Sequence, residues 1–101
     1  MKKIIDGFLY DTETAAEVAS TRYGYWGDAS ELSETLYITT KGNWFVYGNG
    51  GPMSKWGKDD FGRRTRGDGF EILTENEALQ WCEAYDTDIA IVQQYFDIEE
   101  A

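Results

Sequence analysis

Two runs of β-branched and aromatic residues, at positions 34–40 and 44–47, are the strongest constraint on how this chain can fold. They are separated by the tripeptide Lys41-Gly42-Asn43, which contains a glycine. Extended runs of this composition, joined by a short connection with glycine, are typical of a β-hairpin. The sequence therefore predicts an antiparallel strand pair, and we expect it to form the centre of a sheet.

Three shorter segments predict the rest of that sheet. Residues 3–10 contain two apolar runs around Asp6-Gly7, a dipeptide that tolerates the positive φ of a tight hairpin turn. The aromatic residues at 21–26 and the run at 70–73 are typical of further strands. Together these segments predict a small antiparallel sheet of roughly four to five strands.

The stretches between the strands carry turn and loop signals. The glycine-rich segment 48–52 is predicted to end the central hairpin as a turn, and residues 53–69 are predicted to form a long, charged surface loop. Successive glycine amides can also hold a phosphate group, but no Lys-Ser/Thr pair at the start of a helix follows them here. The turn is therefore the favoured interpretation.

Two helices are predicted with different signals. A short N-terminal helix is expected over residues 15–19, where good helix formers follow the capping side chains of residues 11–14. A second helix is expected after Thr74, because Thr74 and Glu77 have the spacing of a capping box. Its apolar residues recur at helical spacing and share one face: Ala78, Trp81, Cys82 and Tyr85.

A third helix is predicted over residues 89–96, after a break at residues 86–88. Its apolar residues occupy two sides, one with Ile89, Val92 and Phe96 and the other with Ile91 and Tyr95. Such a helix is either buried between layers or completed by another molecule. Burial is favoured in so small a domain, and a homodimer through Ile91 and Tyr95 remains the alternative.

These elements predict one α+β domain over residues 1–101: a small antiparallel sheet with one short N-terminal helix and two C-terminal helices. A chain of 101 residues, 42% of them hydrophobic, can close one hydrophobic core but not two. Within this domain, residues 1–66 are predicted to be mainly a β scaffold with a basic loop at 55–66. Residues 67–101 are predicted to form a strand followed by an acidic helical region.

Charge is divided unevenly along the chain. The net charge is −10; nine acids and nine bases cancel up to Arg66, whereas residues 67–101 contain ten acids and no Lys or Arg. A surface of one sign repels phosphate backbones and attracts Lys- and Arg-rich surfaces in a salt-dependent way. Acidic surfaces also simply keep proteins in solution. The segregation along the sequence favours a binding role.

The candidate partner-binding residues are acids of the C-terminal region together with one aromatic residue: Glu75, Glu77, Glu83, Asp86, Asp88, Tyr95, Asp97, Glu99 and Glu100. Surface charge contributes mainly to steering and register in a complex. Exposed aromatic residues are therefore expected to act as anchors, with Tyr85, Tyr95 and Trp56 as candidates.

A second candidate site is the basic segment, residues 55–66, in which five bases are interspersed with two aromatic residues. This composition is typical of a nucleic-acid contact, with bases for phosphates and rings for stacking. Its candidate contact residues are Lys55, Trp56, Lys58, Arg63, Arg64 and Arg66. The other interpretation is a solvated loop whose arginines pair with the acidic helices, and the net charge disfavours direct nucleic-acid binding.

The residue types on which most enzymes depend are scarce. The chain has no His, and its single Cys82 lies among apolar residues of a predicted helix, the setting of an inert core thiol. No catalytic site, metal or cofactor is predicted. No apolar run approaches the roughly 18 residues that span a bilayer, and a lone cysteine agrees with a reducing compartment. These features predict a non-enzymatic, cytoplasmic protein.

Four segments, residues 5–15, 34–37, 42–55 and 73–81, together resemble a family of small acidic proteins encoded by bacteriophages and other bacterial mobile elements. The resemblance carries no catalytic motif. It implies the cytoplasm of a bacterial host and a role in inhibiting host defence, as anti-CRISPR proteins do. The chain departs from the family's usual shape where it continues past Tyr85. We therefore expect an inhibitor that occupies a basic, nucleic-acid-binding surface of a CRISPR-Cas complex by mimicking nucleic acid.

Overall fold

The computed structural model describes all 101 residues. Its elements are β1 (Lys2–Ile5), β2 (Phe8–Asp11), β3 (Ala16–Tyr23), β4 (Leu32–Ile38), β5 (Trp44–Gly50), β6 (Lys58–Asp60), β7 (Arg63–Thr65), β8 (Gly67–Leu73), α1 (Glu75–Ala84) and α2 (Ile89–Tyr95). One four-stranded antiparallel sheet has the order β3-β4-β5-β8, and β1–β2 and β6–β7 are separate two-stranded hairpins. The fold is α+β, with a sheet-dominated body and two C-terminal helices.

The predicted central hairpin is confirmed. Strands β4 and β5 pair with Leu36 opposite Val46, and they occupy the middle of the four-stranded sheet. Successive side chains of a strand point to opposite faces. Leu36 and Val46 are fully buried in the core shared with the helices, and Phe45 is fully buried on the other face.

The predicted N-terminal helix at residues 15–19 is wrong. Residues Ala16–Tyr23 form the edge strand β3, which pairs with β4 and buries Val18. The helix preference of a few alanines is weak, and pairing with a neighbouring strand overrides it. The side chain of Asp11 does not cap a helix; its Oδ1 accepts a hydrogen bond from the Glu13 amide at 3.0 Å, within the turn between β2 and β3.

The glycine-rich segment and the loop after it also differ from the prediction. Gly48 lies within β5 rather than in a turn, because β5 continues to pair with β8 as far as Gly50. The indole ring of Trp56 occupies the place of a Cβ at residue 48. Within residues 53–69, the hairpin β6–β7 turns at Phe61 and Gly62, both of which have positive φ. The predicted loop is therefore partly ordered as strand.

Both predicted C-terminal helices are present. The α1 helix begins with the predicted capping box: Thr74 Oγ1 accepts a hydrogen bond from the Glu77 amide at 3.1 Å, and the Glu77 carboxylate accepts one from the Thr74 amide at 2.9 Å. Asp88 caps α2 by accepting a hydrogen bond from the Ala90 amide at 2.9 Å. Neither helix has the length and apolar character needed to cross a membrane.

The main hydrophobic core lies between the sheet and the two helices. It consists of Val18, Leu36, Trp44, Val46, Ala78, Trp81, Cys82 and Phe96. On α2, Ile91, Val92 and Tyr95 are partly buried against this core, whereas Ile89 is 73% exposed. Most apolar residues of this helix are thus covered by the protein itself.

The other face of the sheet carries an aromatic cluster around Phe45. Tyr37 stacks on Phe45 with ring centres 5.1 Å apart, and Tyr10 meets its ring edge-on at 5.4 Å. Phe70 stacks on it from β8 at 5.7 Å. Because Tyr10 belongs to β2, the N-terminal hairpin covers this face while the helices cover the opposite one.

Candidate protein-binding surface

Two groups of acids in the chain differ in whether they form ion pairs. The ion-paired acids lie on or beside the sheet and pair with bases of the basic segment; they are Glu31, Glu34, Asp68 and Glu71. None of the eight acids that follow Glu71 forms an ion pair. The unpaired negative charge predicted for the C-terminal region therefore lies on the helices and on the segment after them.

We call these eight acids the acidic helical surface: Glu75, Glu77, Glu83, Asp86, Asp88, Asp97, Glu99 and Glu100. All eight are exposed. Glu77 and Asp88 also accept a backbone hydrogen bond at the starts of α1 and α2, so they stabilise the helices as well. Accepting an amide hydrogen leaves the carboxylate charged, and both residues still contribute to the field of the surface.

The structure brings some of these acids together around two grooves. Glu83 and Asp86 lie at a groove of about 310 Å³ between the end of α1 and α2. Glu75 and Asp97 lie at a smaller one of about 180 Å³ beside the start of α1. Residues 99 and 100 follow Asp97 along the exposed segment after α2.

The three predicted aromatic anchors differ in exposure. Tyr85 is 40% exposed at the end of α1, and its ring lies 5.0 Å from that of Trp81. Burial raises the pKa of Tyr85, and the charge of Glu34 adds to that effect. Tyr95 and Trp56 are half-buried. Tyr85 is thus the anchor most accessible to a partner.

Two lysines of the basic segment are engaged with acids of the same chain. Lys55 Nζ lies 3.4 Å from Glu34 and 3.3 Å from Glu71, and Lys58 Nζ lies 3.3 Å from Asp68. Burial opposes the charged form of Lys55, but the two glutamates outweigh it and raise its pKa. These acids lie on β4 and β8 rather than on the helices.

The arginines of the basic segment are held to different degrees. Arg66 pairs with the buried Glu31, and its guanidinium lies 4.2 Å from the ring centre of Trp26. Arg64 Nε donates to a backbone carbonyl oxygen at 3.1 Å. Arg63 is exposed and forms no ion pair. Unpaired positive charge in this segment is therefore confined to the β6–β7 hairpin.

The sequence gives no direct sign of a buried polar cluster around Glu34. Its side chain is 1% exposed and accepts hydrogen bonds from the indole nitrogens of Trp56 at 2.9 Å and Trp81 at 2.8 Å, with Lys55 beside it. The two tryptophans are 22 and 47 positions away in sequence. Every buried side-chain nitrogen and oxygen has a hydrogen-bond partner. Glu34 thus ties the basic segment and α1 to the sheet.

The single cysteine lies in the core, as predicted. Cys82 is 1% exposed, and burial raises the pKa of its thiol, so the nucleophilic thiolate is disfavoured at neutral pH. No group of three or more Cys, Asp and Glu side chains is placed so that it could hold a metal ion.

Comparisons with known proteins were made at three levels. No protein-family model matches the chain, and neither a curated protein nor a solved structure matches it. The resemblance to small acidic phage proteins therefore stays a prediction, and the function has to be argued from the geometry of the surface.

Proposed function

We propose that this chain is a non-enzymatic binding protein whose acidic helical surface docks on a basic surface of another protein. The observation that carries the proposal is that all eight acids after Glu71 are exposed and form no ion pair, in a region that contains no Lys or Arg. The four ion-paired acids on or beside the sheet share three bases of the basic segment, Lys55, Lys58 and Arg66. The eight exposed acids on the helical side have no cation of their own.

A surface of this kind favours a particular class of partner. Unpaired carboxylates attract Lys- and Arg-rich surfaces over a distance of about 10 Å at moderate salt, and they repel phosphates. Basic surfaces that bind nucleic acid have the complementary charge. We propose that the chain competes with nucleic acid for such a surface and so acts as an inhibitor. The resemblance to phage proteins makes a CRISPR-Cas effector complex the first partner to test.

Direct nucleic-acid binding through the basic segment has less support. Lys55, Lys58 and Arg66 already pair with acids of the chain. The indole nitrogen of Trp56 donates to Glu34, and its ring lies against Gly48. Binding a phosphate with these bases requires breaking their existing pairs against the repulsion of the net charge.

Charge reversal at two matched sets of acids tests the proposal. The helical-surface variant carries Glu75→Lys, Asp97→Lys, Glu99→Lys and Glu100→Lys, and leaves the capping acids in place. The control variant carries Asp6→Lys, Glu13→Lys, Glu17→Lys and Asp28→Lys, which lie outside both candidate sites. All eight positions are exposed and outside the ion pairs, and the two variants have the same net charge.

The measurement is inhibition of target-DNA binding by purified CRISPR-Cas effector complexes of several types. We expect the wild type and the control variant to inhibit at least one complex, and the helical-surface variant to lose at least about tenfold in potency. Equal loss in both variants means that net charge rather than this surface matters. If the wild type inhibits none of the complexes and retains no nucleic-acid-binding protein from a bacterial lysate at about 50 mM salt, the proposal is wrong.

A further inference from the structure

The larger of the two grooves in the acidic helical surface is apolar inside and acidic at its edge. Its apolar lining consists of Cys82, Ile89, Val92 and Ile98, and Glu83 and Asp86 lie beside them. Cys82 is 1% exposed, whereas Ile89 is 73% and Ile98 is 45% exposed. Cys82 thus closes the bottom of the groove, and the aliphatic side chains of Ile89 and Ile98 are exposed to solvent at its sides.

The charges of the groove identify what can occupy it. Glu83 and Asp86 are exposed and form no ion pair, and no Lys or Arg follows Arg66 in the chain. A phosphate group finds no cation here. A lysine or arginine beside the groove can pair with the two carboxylates, and an aliphatic side chain can be buried against the apolar lining.

The size of the groove agrees with such an occupant. An apolar cavity of about 150 Å³ holds a molecule the size of benzene. At about 310 Å³, the groove has room for one or two aliphatic side chains. Cys82 lies on α1, Val92 on α2 and Ile98 after α2, so both helices and the segment after them contribute to its walls.

We propose that this groove binds a segment of the partner protein in which a leucine-like aliphatic residue is flanked by Lys or Arg. This inference rests on the proposed function and makes it more specific. The acids steer a basic surface to the helices, and the groove then accepts one apolar side chain from it. Pure mimicry of nucleic acid depends on charge alone, whereas this binding mode adds a contact that salt does not weaken.

Two synthetic peptides of equal charge are the probes. One is a short helical peptide of Lys, Leu and Ala, and in the other every Leu is replaced by Ser. Calorimetry gives the dissociation constants at about 50 mM and about 300 mM salt, and NMR gives the backbone amides that shift. We expect the leucine peptide to bind at least about tenfold more tightly, to retain more of its affinity at high salt, and to shift the amides of Val92 and Ile98.

A groove variant with Ile89→Ser and Ile98→Ser provides the second arm. Both side chains are exposed, so the fold is expected to survive, and Ile4→Ser on the N-terminal hairpin is the matched control because Ile4 is 71% exposed. We expect the groove variant to bind the leucine peptide about tenfold more weakly and the control to bind as the wild type does.

The outcomes separate this inference from the proposed function. If both peptides bind equally, if neither binds, or if the groove variant binds as the wild type does, the groove is not the site of an aliphatic residue. The proposed function is judged by the four-acid variants, which leave Glu83, Asp86 and the apolar lining intact. If inhibition depends on those four acids but not on Ile89 and Ile98, the proposed function is supported and the inferred role of the groove is contradicted.

Discussion

Tyr47 and Asp68 are joined by a short hydrogen bond between neighbouring strands of the sheet. The hydroxyl of Tyr47 donates to the carboxylate of Asp68 over 2.6 Å. Burial and then this bond raise the pKa of Tyr47 to about 12, and the same bond lowers the pKa of Asp68. The folded protein therefore favours a neutral tyrosine beside an ionised aspartate.

This pair predicts a loss of stability in alkaline solution. Unfolded tyrosine ionises near pH 10.0, whereas native Tyr47 keeps its proton until about 12, so ionisation stabilises the unfolded state relative to the native state between these two values. We expect Tyr47→Phe to reduce the fall in the free energy of unfolding over that range. Urea unfolding at a series of pH values measures the slope, and Tyr23→Phe, an exposed position, is the control. Equal slopes in all three proteins contradict the prediction.

Two hairpin turns contain a residue other than glycine in the left-handed backbone region. Asp6 and Phe61 have φ values of 50° and 49°, and each is followed by a glycine with φ of 81°. The first turn could be predicted, because Asp-Gly favours this conformation. The second could not, because a phenylalanine in the left-handed region costs on the order of 1 kcal/mol and is rarely found there. Phe61 is fully exposed, and nothing in the structure explains its presence.

At the scale of elements, glycines in two strands make room for Trp56. A Cβ at Gly48 on β5 would overlap the indole ring, and one at Gly69 on β8 would crowd it. These two residues lie opposite each other in the sheet. The alternating glycines of β5 and β8 thus form a recess in the sheet, and the ring of Trp56 fills the place of the missing side chains.

The effect of a substitution at this recess on stability should depend on the ring of Trp56. We expect Gly48→Ala to lower the free energy of unfolding by about 1 to 3 kcal/mol, because the added methyl group displaces Trp56. In a Trp56→Ala background the same change should cost less than about 0.5 kcal/mol. Urea unfolding of the wild type, the two single variants and the double variant completes the cycle. An equal cost of Gly48→Ala in both backgrounds means that the ring is not the cause.

Elements with local signals could be predicted, and those that depend on distant partners could not. The central hairpin and α1 follow from runs of β-branched and aromatic residues, a glycine-containing turn and a capping box, all within a few residues. Residues 15–19 have a helical composition, and only pairing with β4 makes them a strand. Residues 58–65 are mainly charged, so their hairpin lacks the apolar pattern of a strand.

The same limit applies to the candidate surface. The excess of acids after Arg66 could be counted from the sequence, and eight of these acids are exposed in the structure. The partners of Lys55, Lys58 and Arg66 could not be predicted, because they lie 10 to 35 positions away in the chain. The groove was missed because it depends on how α1 and α2 pack.

At the scale of the whole molecule, charge is sorted by location. Bases and acids neutralise each other beside the sheet, while the helical side carries acids only. Like charges that folding brings together repel one another, and this repulsion opposes the compact state. The repulsion among the acids proposed to bind a partner therefore reduces the stability of the free protein, although Glu77 and Asp88 also stabilise the starts of the helices.

This repulsion predicts a dependence of stability on salt. We expect the free energy of unfolding to rise by on the order of 1 kcal/mol between about 10 mM and about 300 mM sodium chloride, as screening weakens the repulsion. The helical-surface variant should lose most of this rise, and the control variant with the same net charge should keep more of it. Urea unfolding at each salt concentration measures the effect. An equal rise in the two variants means that the repulsion is not concentrated on the helices.

The carboxylate of Glu34 also bears on how the chain reaches its native state. Its two indole partners arrive from the basic segment and from α1, which are far apart in sequence. Until both tryptophans have docked, the carboxylate of Glu34 lacks one of its hydrogen bonds. A buried charge that is only partly hydrogen-bonded is unfavourable. A folding intermediate in which only one of the two tryptophans has docked on Glu34 is therefore only weakly stabilised. The segment and the helix are expected to close over the sheet in one cooperative step.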